Sequence, residues 1–204
     1  MADRKHGLPP PETTAEIRHE DWYGRELSGE IYTAVAFIDV DMSEVATNGT
    51  AFVDCAFRGV KLNASTHIDS AFTNCTFTRT TLFDTTFTEC KLVGSTFDQC
   101  TFDLMTVTGG DWSFVALPGA DLRRATLDRA RMREADLTGA RCDGSTLTRL
   151  DLSGAWLHGA TLGRCDLRGS DLSALDPRAA DLTGAIINAD QCIAVAEALG
   201  LDVR

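Results

Sequence analysis

"SAFTNCTFTRTTLFDTTFTECKLVGSTFDQCTF", residues 70–102, carries Phe or Leu at every fifth position: Phe72, Phe77, Leu82, Phe87, Leu92, Phe97 and Phe102. Thr, Ser, Cys and Asp fill most of the space between. A period of five suits neither a helix, which repeats every 3.6 residues, nor a flat strand, which repeats every two. The frame runs far beyond this stretch. Positions ending in 2 or 7 between residues 52 and 172 number 25, and 24 of them are apolar if Met132 and Cys142 are counted. The exception is His67. Without an insertion the frame reaches back through Phe37, Tyr32 and Leu27 and forward through Leu182 and Ile187.

A second column lies two residues before the first. Apart from Met105 and Leu150 it holds small residues: Ser, Thr, Cys, Ala, Gly or Val. The unit is therefore small–x–large–x–x. Residues two apart on an extended chain face the same side, so the small and large residues point inward and the other three point out. Turn-tolerant residues recur two places after the large one, among them Gly59, Asn74, Gly94, Gly119 and Gly154. If each unit turns through about a right angle, four units close a square coil of about 20 residues, and coils stack at roughly 4.8 Å. Antiparallel hairpins would need period-two alternation and variable turns. A coiled coil needs sevens.

Such a frame with the units Ala120-Asp121-Leu122-Arg123-Arg124, Ala135-Asp136-Leu137-Thr138-Gly139 and Ala180-Asp181-Leu182-Thr183-Gly184 resembles the pentapeptide-repeat proteins. The resemblance implies an all-β solenoid, a right-handed quadrilateral β-helix of pentapeptide repeats, with a short C-terminal α-helix. The opening stretch, the Phe-to-Leu change near Val107 and the ending "LDPRAADLTGAIINADQCIAVAEALGL" look more narrowly like the gyrase-binding group that includes Qnr and the mycobacterial MfpA proteins. The frame here is uninterrupted and lacks the projecting loops of many Qnr proteins.

Three regions follow. Residues 1–26, with Pro9-Pro10-Pro11, are expected to form a flexible N-terminal arm or cap, with room for a short helix near residues 14–22. Residues 27–187 are the β-helix. Residues 188–204 are the C-terminal helix and dimerisation tail: Asp190 is placed to cap a helix, Gly200 to end it, and Cys192, Val195, Ala196 and Leu199 form an apolar stripe. An open β-helix end is a template for further pairing, so something must cover it. Two chains meeting end to end through Ile186, Ile187, Val195, Leu199 and Leu201 would do so, as the resemblance implies. The central residue is mainly Phe up to Phe102 and mainly Leu from Leu117, with Val107, Trp112 and Pro118 marking a joint where the stack could bend.

The net charge is −11, unevenly spread. Residues 27–114 carry 11 acids and 4 bases, a net of −7, while residues 115–204 carry 13 and 11, a net of −2. Such a chain should be repelled by nucleic acid and drawn to basic surfaces. Assigned to faces by position modulo 20, Asp41, Glu44, Asp69, Asp84, Glu89 and Asp103 gather on two adjacent sides with only Lys61 as a base, and these are the candidate partner-binding residues. The resemblance implies that the partner is DNA gyrase or a related type II topoisomerase, that the protein mimics DNA, and that it protects the enzyme from quinolones or other poisons. A scaffolding protein with another basic partner is the alternative.

Nothing points to catalysis. No Walker loop, G-x-S-x-G, H-E-x-x-H or dinucleotide fingerprint is present. The seven cysteines include no C-x-x-C pair, and five of them sit at multiples of five, which ties them to the repeat; neither metal nor cofactor is expected. His67 reads as a buried, hydrogen-bonded histidine. No run of 18 apolar residues occurs, and the first residues lack the apolar core of a secretory signal, so a cytoplasmic protein without a membrane span is expected.

Overall fold

In a computed structural model describing residues 11–204, each five-residue unit forms one side of a square coil. One side is a parallel sheet of β1 (Ala15–Arg18), β4 (Val35–Ile38), β7 (Ala56–Arg58), β10 (Thr76–Thr78) and β12 (Thr96–Asp98). A second holds β2 (Glu26–Ser28), β5 (Ala46–Asn48), β8 (Thr66–Ile68), β11 (Thr86–Thr88), β13 (Thr106–Thr108), β14 (Thr126–Asp128) and β15 (Thr146–Thr148). The third contains β3 (Ile31–Thr33), β6 (Ala51–Val53) and β9 (Ala71–Thr73). Single parallel bridges build the fourth: Asp21 to Asp41, Asp41 to Lys61, Lys61 to Thr81 and Thr81 to Thr101. Every pairing joins residues 20 apart, as four units of five require.

The large column fills the axis. Phe57, Phe77 and Phe97 stack face to face with ring centroids 4.7 and 4.6 Å apart, the spacing of adjacent coils. Neighbouring sides meet edge to face, as in Phe52 against Phe57 at 5.5 Å, an arrangement aromatic quadrupoles favour. The small column has a second task. Thr85 and Ser95 donate their hydroxyls to the carbonyls of Leu62 and Phe72, each at 2.6 Å and 23 residues earlier. Cys55, Cys75 and Cys90 reach the carbonyls of Tyr32, Phe52 and His67 in the same way. A side chain small enough for the site, with one donor to give, suits this column better than a merely small one. Burial pushes the Cys90, Cys100 and Cys165 thiols up to about 11, so they stay protonated and inert at neutral pH.

His67 occupies the axis among phenyl rings, stacked on Phe87 at 4.9 Å. The residue one coil below it, Thr47, is also polar and buried. Thr47 Oγ1 lies 2.9 Å from His67 Nδ1 and 2.8 Å from Ser70 Oγ, and Ser65 Oγ lies 3.0 Å from His67 Nε2. Because the Ser65 hydroxyl is committed to the Leu62 carbonyl at 2.6 Å, it must accept from Nε2–H. Burial pushes the His67 pKa down to about 3, so the imidazole is neutral at neutral pH.

The coil begins earlier than expected. Ala15–Arg18 is a strand in register with Val35–Ile38, and Trp22 is buried against Tyr32 and Phe37, so residues 15–26 belong to the β-helix and not to an arm or a short helix. The reason is in the frame: Ile17 and Trp22 are its next two large residues. Residues 1–10 of the expected arm lie outside the described residues. At the joint, register passes from Phe87 through Val107 to Leu127 and from Lys91 through Asp111 to Arg131 without a slip, so the Phe-to-Leu change alters the filling and leaves the stack continuous. Beyond it three-residue strands thin out to β14 and β15, and the other sides are held by single bridges.

At the C-terminal end α1 (Ala189–Ala198) lies across the last coil. Asn188, not Asp190, is its N-cap, and Asp190 falls in the first turn; the Gln191 carboxamide oxygen takes the Asn188 N–H at 2.7 Å. Gln191 Nε2 donates to the carbonyls of Leu167 and Ser170, at 2.8 and 2.7 Å. Those carbonyls belong to the open end, so the helix satisfies backbone that another coil would otherwise claim.

Candidate partner-binding surface

Four corners run the length of the stack, and the residue at most turns takes a left-handed backbone. Gly does this without strain; a side chain there costs about 1–2 kcal/mol, least for Asn and Asp. The Phe-rich half fills many corners with carboxylates, namely Asp39, Glu44, Asp54, Asp69, Asp84 and Glu89, all at φ of 48–58°. In the Leu-rich half the non-Gly corners include Arg129, Arg149 and Arg164. The chain thus accepts strain to hold negative charge at projecting edges in one half.

The coil register brings the six predicted carboxylates onto two adjoining sides: Asp41, Glu44, Asp84 and Asp103 on the bridge-built side, Asp69 and Glu89 at the far edge of the seven-stranded side. Their surroundings differ. Asp41 pairs with Lys61 Nζ at 2.9 Å, and a hydrogen bond from Ser43 together with that ammonium holds its carboxyl below the usual range. Asp103 pairs with Arg124 at 3.1 Å. Glu89 folds back to accept the Gly110 N–H at 3.1 Å. Glu44 accepts a hydrogen bond from the Tyr23 phenol, which is pushed up by it. Asp69 and Asp84 are exposed and make no ion pair or side-chain hydrogen bond among the described residues.

The Leu-rich half is different. Arg123 pairs with Asp121 at 2.6 Å, Arg168 with Asp166 at 2.7 Å, and Arg149 binds Asp128 through two bonds of 2.8 and 2.6 Å, holding that carboxyl below its usual range. An open groove of about 650 Å³ beside Gly110 contains Arg129, Arg131, Arg133 and Arg149. Its guanidiniums are largely answered, Arg131 by Asp111 at 3.0 Å and Arg149 by Asp128, and no nucleophile–base pair converges there. Among the described residues no group of three or more His, Cys, Asp or Glu is placed to hold a metal, and no helix is long and apolar enough to cross a membrane.

The five residues predicted for dimerisation divide. Ile187 and Val195 pack on the chain's own core, whereas Ile186, Leu199 and Leu201 are exposed, joined by Ile193 and Val203, which the sequence reading missed. Cys192 and Ile193, neighbours on the helix, are both exposed, and only the observed orientation of α1 shows that Val195 is the residue that packs. Phe83 and Leu104 were also missed. Both are exposed on the bridge-built side, and both stand outside the two inward columns, a signal the frame already contained.

A sequence profile of pentapeptide repeats matches residues 113–141 and 127–164. Residues 113–164 are thus recognised as pentapeptide repeats. A profile of the SV2A/B/C luminal domain matches residues 26–102, so the two profiles divide the chain where Phe gives way to Leu. No curated protein matches the sequence. Among solved structures, the pentapeptide-repeat protein HetL of the cyanobacterium Nostoc, involved in regulating heterocyst differentiation, is 21% identical with a TM-score of 0.52, over 86% of this chain and 84% of HetL. QnrB1, a plasmid-mediated fluoroquinolone resistance protein, is 21% identical with a TM-score of 0.51, over 91% of this chain and 100% of QnrB1. At that identity both establish the shared fold.

Proposed function

We propose that this pentapeptide-repeat protein is a non-enzymatic DNA mimic that binds DNA gyrase or a related type II topoisomerase, modulates it and protects it against quinolones or other topoisomerase poisons. The observation that carries this reading is the line of projecting carboxylates, with Asp69 and Asp84 unpaired, on one side of a rigid rod. At roughly 4.8 Å per coil the rod is about 40 Å long, and an end-to-end dimer through Ile186, Leu199 and Leu201 about 80 Å. The rod carries far less charge per length than duplex DNA, one charge per ~1.7 Å, but a basic channel shaped for a duplex would admit it. The fold it shares with QnrB1, a fluoroquinolone resistance protein, is in keeping with this role.

The test is a gyrase supercoiling and drug-induced cleavage assay with purified protein. Reduced supercoiling and reduced cleavage-complex formation are expected. No effect at micromolar concentration overturns the reading. A second reading, a regulatory scaffold for another basic protein, draws on the equal likeness to HetL; capture of a basic partner other than topoisomerase, with gyrase unaffected, would establish it.

A further inference from the structure

The acidic side is not uniformly polar. Phe83 is 46% exposed and Leu104 is 37% exposed. The bridge from Thr81 to Thr101 sets residue 103 above 83 and 104 above 84, and the Asp84 N–H bonds to the Asp103 carbonyl at 2.9 Å. Phe83 and Leu104 therefore emerge on adjacent coils, one position apart, with Asp84 and Asp103 filling the other two places of the square.

Leu104 bears two costs at once. Its side chain is in water, and its backbone is left-handed at φ 61°, a conformation unfavourable for a bulky residue and open to Gly, which takes it at corners such as Gly24 and Gly144 on the same edge. Phe114 shares this backbone at φ 62°, but on the opposite corner, away from Asp84. Strain held at an exposed position points to a contact made elsewhere. A large exposed ring bordered by charge is also the composition of an interface hot spot, where an apolar anchor supplies affinity and the polar rim supplies orientation.

We propose that Phe83 and Leu104 are the apolar anchor of the partner-binding side, seated in an apolar recess of a basic protein surface. Charge complementarity selects that occupant, because the anchor is framed by Asp84 and Asp103. The proposal rests on the gyrase reading and sharpens it: a surface that only bound phosphates would have no use for a phenyl ring.

The experiment measures affinity of purified wild-type protein, Phe83→Ala and Leu104→Gly for DNA gyrase at two salt concentrations, with a thermal melt of each variant. Phe83→Ala is expected to weaken binding roughly tenfold or more while keeping the wild-type salt dependence. Leu104→Gly is expected to weaken binding while raising the melting temperature, which separates the contact from folding. Wild-type affinity in both variants overturns the anchor and leaves the gyrase reading standing. If wild-type protein does not bind gyrase, both fall. If Phe83→Ala turns a dimer into a monomer by light scattering, the occupant is a second copy and the proposal is overturned.

Discussion

Thr47 Oγ1 and His67 Nδ1 meet 2.9 Å apart, one coil from each other, inside a column of phenyl rings. Burial keeps that imidazole neutral. With its pKa held at about 3 in the fold against an ordinary 6.5, His67 takes up a proton on unfolding whenever the pH lies between those values. Its contribution is complete above pH 6.5 and is lost as the pH falls from there toward 3. By pH 5 the loss is about 2 kcal/mol. Urea midpoints should therefore drop between pH 7.5 and 5, and His67→Phe should flatten that drop. An equal drop in the variant would place the acid sensitivity elsewhere.

Charge at the corners should act through salt. Asp69→Asn with Asp84→Asn removes two unpaired carboxylates, so gyrase affinity should fall and its dependence on ionic strength should become shallower. Asp41→Asn with Asp103→Asn removes two carboxylates already answered by Lys61 and Arg124, and it should change affinity less. Titrations at two ionic strengths distinguish the pairs; equal effects would count against the unpaired carboxylates as the contact.

Gly109 and Gly110 are adjacent, yet they should tolerate substitution unequally. A Cβ on Gly110 would meet the Cys90 carbonyl oxygen at 2.0 Å, backbone against backbone. On Gly109 it would meet the end of the Glu89 side chain at 2.2 Å, which can swing away. Gly109→Ala should cost about 1–2 kcal/mol for its left-handed conformation, and Gly110→Ala substantially more. Chemical denaturation of the two variants measures the difference.

The C-terminal end should separate closure from association. Ile186→Asp with Leu201→Asp places charge on the exposed apolar end and should give a monomer by light scattering, with the melting temperature of the monomer little altered. Gln191→Ala should instead leave the Ser170 carbonyl without a donor, while the Leu167 carbonyl keeps the Ser170 N–H, and lower stability by about 1–3 kcal/mol, because a buried acceptor left without a donor costs more than the bond itself is worth.

Much of this was legible because the repeat admits no slack. Leu82 and Phe87 on the axis, and Asp84 and Glu89 at corners, follow from counting in fives, and counting in twenties assigns each to a side. What counting did not reveal depends on direction and on partners. The ladder from Thr85 to the Leu62 carbonyl looks in sequence like a preference for small size. The register reaches Ile17 and Trp22, although the nearby prolines and mixed charge argue in sequence for an arm. Lys61 was recognised as a lone base, but only the bridge from Asp41 to Lys61 shows which acid it neutralises. The tail was least legible: of the expected stripe Cys192, Val195, Ala196 and Leu199, only Val195 and Ala196 are half-buried, and a helix pattern alone cannot decide which side meets the coil.

The constant spacing of 20 residues between partners has a consequence for how the chain is made. Each coil needs only the one before it as a template, so the N-terminal coils can close while the rest is still on the ribosome. At roughly 5–20 residues per second, synthesis releases a further coil every one to four seconds, ample time for it to dock. Growth is vectorial, and the growing end is always sticky until α1 arrives last with Gln191. Nascent chains halted at successive lengths should gain protease resistance in steps of one coil, and those lacking α1 should be the ones that clump.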